Sequence, residues 1–144
     1  MTVRLTGRRG LPRVDRRRLR RSAGAVLRAL DRADSELSVA LVDDVAIEEL
    51  NERYRDRPRA TDVLSFSLLD GLHSERRGAL LGDVVVSLET AERQARRAGR
   101  SLDDEVLRLL IHGVLHLVGH DHEAPGEARV MRAEERRVRR AVAP

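Results

Sequence analysis

Val106-Leu-Arg-Leu-Leu-Ile-His112-Gly-Val-Leu-His116-Leu-Val-Gly119-His120-Asp121-His122 is the stretch on which the reading of this chain turns. From Ser101, a weak capping-box start with Asp104 three residues on, the pattern predicts a helix running to Val118, with Gly119 at the C′ position. Val106, Leu107, Leu109, Leu110, Ile111, Leu115 and Leu117 leave almost no polar face, so the helix belongs inside the core. Other elements must therefore surround it.

Working outward, Thr2–Thr6 reads as a short strand. Asp15 caps a helix extending to about Ala33, with Leu19, Ala23, Val26, Leu27 and Leu30 on one face. Glu36–Leu41 alternates as a strand, and Asp43 or Asp44 caps a short helix through Ile47, Leu50 and Tyr54. Arg55–Asp62, with Pro58, reads as a loop. Val63–Leu69 and Leu80–Ser87 read as strands joined by a loop or hairpin. Thr90–Arg97 is a helix that Gly99 ends. Pro125 fits the start of a last helix, with Val130, Met131, Val138 and Val142 inward. Mixed strands and helices give an α+β or α/β domain, and no composition break divides residues 1–144 into two.

With no Cys among 144 residues, thiolate ligands and disulfides are excluded, so any metal must be held by His and carboxylates. No stretch is long and apolar enough to span a membrane, and no signal peptide is evident; a cytoplasmic protein is expected. All 28 basic residues are Arg. Guanidinium forks suit phosphate, although a GC-rich genome explains the preference for Arg over Lys. Residues 1–30 carry ten Arg against Asp15 alone, which fits a surface facing a polyanion or simply a solvated helix.

Four of the five His lie within eleven residues. His112 and His116 share one helix face one turn apart. If Gly119 ends the helix in a left-handed conformation, His122 can fold back as a third nitrogen, leaving one tetrahedral position open as in catalytic zinc sites. The competing reading is a pair of core histidines beside a polar helix end. Burying two unpartnered imidazoles would cost roughly several kcal/mol, which favours one bound zinc ion. His120 is open between a fourth ligand and a loop residue, and Asp121 between orienting a ligand imidazole and capping the turn. The spacing also resembles the metzincin protease motif, but Gly113 stands where those enzymes carry their general-base Glu.

Beyond the histidines, Asn51-Glu-Arg-Tyr54-Arg55 is followed by Thr61-Asp62-Val63-Leu64-Ser65-Phe66 and then Leu81-Gly82-Asp83-Val84-Val85. Glu123, Met131 and Glu135 come after the third His. On these residues the chain resembles the YbeY family of bacterial rRNA maturation factors, which are metal-dependent endoribonucleases. The match runs from about residue 37 to 138, with Ala60 in place of a usual Pro.

The resemblance implies an α+β domain with a mixed sheet and helices packed around a central histidine-bearing helix. It implies His112, His116 and His122 as zinc ligands and Arg55 as the functional arginine of the cleft. The implied activity is hydrolysis of single-stranded RNA in 16S rRNA 3′-end maturation and ribosome quality control, with ribosomal subunit and proteins as partners. Arg55 suits the holding of a scissile phosphate, the alternative being a surface salt bridge. Arg53, Arg57 and Arg59 read as backbone-tracking charges or solvated loop residues, and His73 as exposed. Thr61, Asp62 and Ser65 either line the cleft or serve turn and strand-edge structure. The rival functions are another zinc hydrolase such as a peptidase, or a non-enzymatic assembly factor with structural zinc.

Overall fold

A computed structural model describes residues 2–57, 59–67, 80–120 and 124–142. The elements are β1 (Thr2–Gly7), α1 (Arg16–Ala29), β2 (Glu36–Val42), α2 (Asp44–Arg55), β3 (Val63–Ser67), β4 (Leu80–Ser87), α3 (Leu88–Ala98), α4 (Leu102–Leu117) and α5 (Pro125–Val142). They form an α+β fold on a mixed sheet ordered β1-β2-β4-β3. β1, β2 and β4 run parallel, and β3 pairs antiparallel to β4 along the edge.

Strand alternation divides the core into two layers. Leu37, Val39 and Leu41 of β2, with Val84 and Val86 of β4, face a large cluster that includes Val26, Leu27, Leu109, Leu110, Val114 and Met131. Val85 and Leu64 face the other way and meet Ile47 of α2. The apolar α4 lies in the larger layer, where Leu110, Val114 and Leu115 are fully buried. The histidine-bearing helix is thus central, as expected.

Local chemistry sets most of the boundaries. The side chains of Asp15, Asp43, Ser87 and Ser101 accept from the backbone N–H three residues on, capping α1, α2, α3 and α4. The sequence reading carries α1 on to Ala33, but the helix ends at Ala29. Asp31 turns left-handed, and the Arg32 and Asp31 N–H groups donate back to the Leu27 and Arg28 carbonyls. A non-Gly residue at C′ hid this stop. α3 begins at Leu88 rather than Thr90, because Ser87 ends β4 and caps the helix in one step. Arg55 closes α2 instead of opening the loop, and Asp56 takes the left-handed turn.

One inward assignment is corrected. Val130 is 59% exposed; Met131 and Val138 carry the buried stripe of α5, and Val130 sits about 100° around the helix from Met131. Tyr54 is also exposed, with its ring set edge-on to Phe66 at 5.5 Å between centroids. The expected ends of the β3–β4 segment at Leu68 and Leu69, and its connection with His73, lie outside the described residues.

Candidate metal centre and RNA cleft

Small residues bring α4 close to the sheet edge. A Cβ at Gly113 would stand 2.8 Å from Val84 Cγ1 and 3.1 Å from Ser65 Oγ. Ser65 Oγ donates to the Gly113 carbonyl at 2.8 Å, and Ser67 Oγ to the Leu117 carbonyl at 3.4 Å. The side of the helix that would carry a protease's Glu is therefore pressed on β3 and β4, with no room for a carboxylate. His112 and His116 project from another face.

Their rings meet at 4.7 Å between centroids, with Nε2 to Nε2 at 3.2 Å. Two imidazole nitrogens bound tetrahedrally to one zinc at 2.0–2.1 Å would be about 3.4 Å apart, so this spacing fits a shared ion. The Nδ1 of His112 meets Glu135 Oε1 of α5 at 2.9 Å. A proton held at Nδ1 by that carboxylate leaves Nε2 as the lone-pair nitrogen, the arrangement that orients metal-binding imidazoles. At the end of α4, Gly119 (φ 103°) turns the chain, and the N–H groups of Gly119 and His120 return to the carbonyls of His116 and Leu115. This is the expected left-handed stop. His122 and Asp121 lie outside the described residues, as does Glu123.

Glu135 is a contact of the candidate site to which the sequence analysis gave no role. Met131, Glu135, Val138 and Val142 follow a 4-3-4 spacing, so a carboxylate sits in an otherwise apolar stripe. Such a group demands a partner. The signal was available, but reading Val130 as inward blurred the register.

The histidines open on a polar cleft of about 1150 Å³ that is also lined by Arg55, Arg57, Thr61 and Ser65. His120 lines it as well. Arg55 Nη2 donates to the Ser65 carbonyl at 2.6 Å, and its guanidinium lies 5.5 Å from the centroid of Phe66. Among the described residues it has no carboxylate within 4 Å, so the salt-bridge alternative finds no support. Arg57 and Arg59 line the cleft, whereas Arg53 does not.

The loop after α2 is pinned from within. The buried side chain of Asn51 donates from Nδ2 to the Arg59 carbonyl at 2.9 Å. Asp62 accepts from the Val63 N–H at 2.8 Å and from Gln94 Nε2 at 3.2 Å. Thr61, Asp62 and Ser65 therefore both build local structure and line the cleft.

Residues 11–143 match the family model described as Endoribonuclease YbeY. The chain is 50% identical over 141 residues to the endoribonuclease YbeY of an Anaeromyxobacter species, covering 98% of this chain and 72% of the relative. Against its counterpart in Anaeromyxobacter dehalogenans, identity is 49% with the same coverage. A solution structure of a Thermotoga maritima protein superposes with a TM-score of 0.65 at 27% identity, covering 97% of this chain and 88% of that one. The molecule is a hydrolase of the endoribonuclease class, and its substrate is RNA. It belongs to the YbeY family.

Proposed function

We propose that this 144-residue chain acts as one domain that holds a single zinc ion through His112, His116 and His122 and cleaves single-stranded RNA beside it. Its role in this reading is 3′-end maturation of 16S rRNA and ribosome quality control in the cytoplasm, with the ribosomal subunit and its proteins as partners. The observation that carries the proposal is the 3.2 Å convergence of the His112 and His116 Nε2 atoms at a cleft also lined by Arg55.

Zinc in such a site supplies Lewis acidity toward a phosphoryl oxygen and toward water. The remaining work falls to the chain. Glu135 fixes the His112 ring, so that the imidazole needs no reorientation when the ion is bound. Arg55 is aimed by its bond to the Ser65 carbonyl and by Phe66, and its free N–H groups can fork onto the scissile phosphate. As negative charge grows on the phosphoryl oxygens, that fixed guanidinium offsets it more than it does in the ground state. Phe66 and Tyr54 offer an aromatic edge at the same wall, suited to stacking by an unpaired base.

The test pairs metal analysis of the purified protein with cleavage of single-stranded RNA by wild type, His116→Ala and Arg55→Ala. One zinc per chain is expected in wild type and Arg55→Ala. RNA cleavage should vanish in His116→Ala, and kcat should fall by about 10²–10³ in Arg55→Ala, the scale of losing one charge-stabilising donor. A metal-free protein whose heat stability and cleavage are indifferent to added zinc would overturn the reading. So would casein cleavage that depends on His116 while RNA stays intact.

A further inference from the structure

A second cavity, about 190 Å³, lies between α4 and α5 and is lined in part by Glu135. Its walls are Arg108 and Ile111 of α4 and Arg132, Glu135, Arg136 and Arg139 of α5. We propose that this pocket seats a backbone phosphate of the same RNA strand whose scissile bond lies at the histidines, and so acts as a second anchor for single-stranded substrate. The proposal rests on the reading of the histidine cleft as the cleavage site.

Three observations support it. Arg132, Arg136 and Arg139 stand at i, i+4 and i+7, so α5 gathers three guanidinium groups on one face. Like charges at that spacing repel and weaken the helix. Among the described residues no carboxylate comes within 4 Å of these three, so that repulsion is not relieved by an ion pair. A bound polyanion would relieve it.

The fourth arginine is held in place. Arg108 Nε and Nη2 donate to the two oxygens of buried Glu105 at 3.1 and 2.6 Å, which fixes the guanidinium on the pocket wall. Finally, the pocket adjoins the cleft. Arg108 is one helical turn before His112, and Glu135 lines the pocket while its Oε1 contacts His112 Nδ1. The volume exceeds the roughly 30 Å³ that a water occupies in the liquid several times over, so a phosphate with part of its hydration fits.

The experiment compares cleavage of a fluorescent single-stranded RNA by the zinc-loaded full chain, by the triple variant R132Q/R136Q/R139Q, and by R17Q/R20Q/R21Q. The last removes the same charge from the exposed face of α1. In the pocket variant KM should rise about tenfold with kcat nearly unchanged, and the slope of log(kcat/KM) against log salt should become shallower by about 0.7, from the one lost phosphate contact. The α1 variant should change both quantities much less. Melting temperatures verify folding, which these exposed positions should leave intact.

Equal effects in the two triple variants would reduce the pocket to general net charge and overturn the inference. An unchanged KM and salt slope in the pocket variant would overturn it too, with wild-type cleavage showing that the main reading survives. Loss of wild-type RNA cleavage itself would remove both.

Discussion

At the scale of single residues, the contact between His112 Nδ1 and Glu135 Oε1 joins two helices and fixes one imidazole. If Glu135 orients a ligand, Glu135→Ala should weaken zinc binding by about 10–100-fold in a competition assay with a chromogenic chelator. Glu135→Gln should recover much of that loss, since an amide oxygen still accepts from Nδ1–H. Equal affinities in wild type and both variants would reduce Glu135 to packing. The histidine pair was legible in the sequence because two residues four apart on a helix must share a face. Arg55 was not legible as a cleft residue from its neighbours alone. Its position depends on the Ser65 carbonyl, which only strand pairing brings near. Glu135 is farther still in sequence from the ring that it contacts; the resemblance included it without a role, and the register of α5 was the one physical sign of its inward position.

At the scale of elements, most of the fold could be read because its punctuation is chemical. Asp15, Asp43 and Ser101 are cap residues by type, and Gly99 and Gly119 are stops by type. The misread boundaries are those where the chain used a less diagnostic residue. Asp31 takes a conformation usually given to Gly, and Ser87 serves strand and helix together. The α3–α4 junction shows how charge ties neighbouring elements. Glu105 is fully buried and accepts from Arg100 Nη1 at 2.9 Å and from Arg108 at 2.6 Å. Burial alone would raise its pKa, but the bonds and charges of Arg108 and Arg100 hold it below the usual carboxyl value. Glu105→Gln keeps the volume and removes the charge. Breaking a buried pair costs about 3–5 kcal/mol, and because both arginines reach solvent a loss nearer about 2–3 kcal/mol is expected. A lower urea midpoint at unchanged m would show it. A midpoint equal to that of wild type would mean that the pair is balanced by its own desolvation.

At the scale of the whole molecule, carboxylates bonded to hydroxyls and arginines link the helices to one another and to the sheet, and their protonation should set the acid limit of the fold. Asp44 accepts from Ser87 Oγ at 2.7 Å, Thr90 Oγ1 at 2.6 Å and Arg93 Nη2 at 2.8 Å, joining α2 to β4 and α3. Partial burial raises its pKa, but these three partners together carry it below the ordinary value. Glu134 is lowered chiefly by its bond to Arg137, which also donates to the Ala29 carbonyl at the end of α1. With Glu105, that makes three groups whose folded pKa lies below the unfolded one. Each contributes stability that is complete above the unfolded carboxyl pKa of about 4 and is lost as pH falls through the folded value. Urea midpoints from pH 7 to pH 3, measured without zinc so that imidazole ligation does not enter, should hold down to about pH 5 and then decline. Asp44→Asn isolates one of the three groups. It should lower the midpoint at pH 7, and its deficit against wild type should shrink as pH falls below the unfolded carboxyl value, where protonation of the unfolded chain begins to remove the wild-type advantage. A deficit that stays constant across the range would assign the role of Asp44 to hydrogen bonding alone, with its charge contributing nothing.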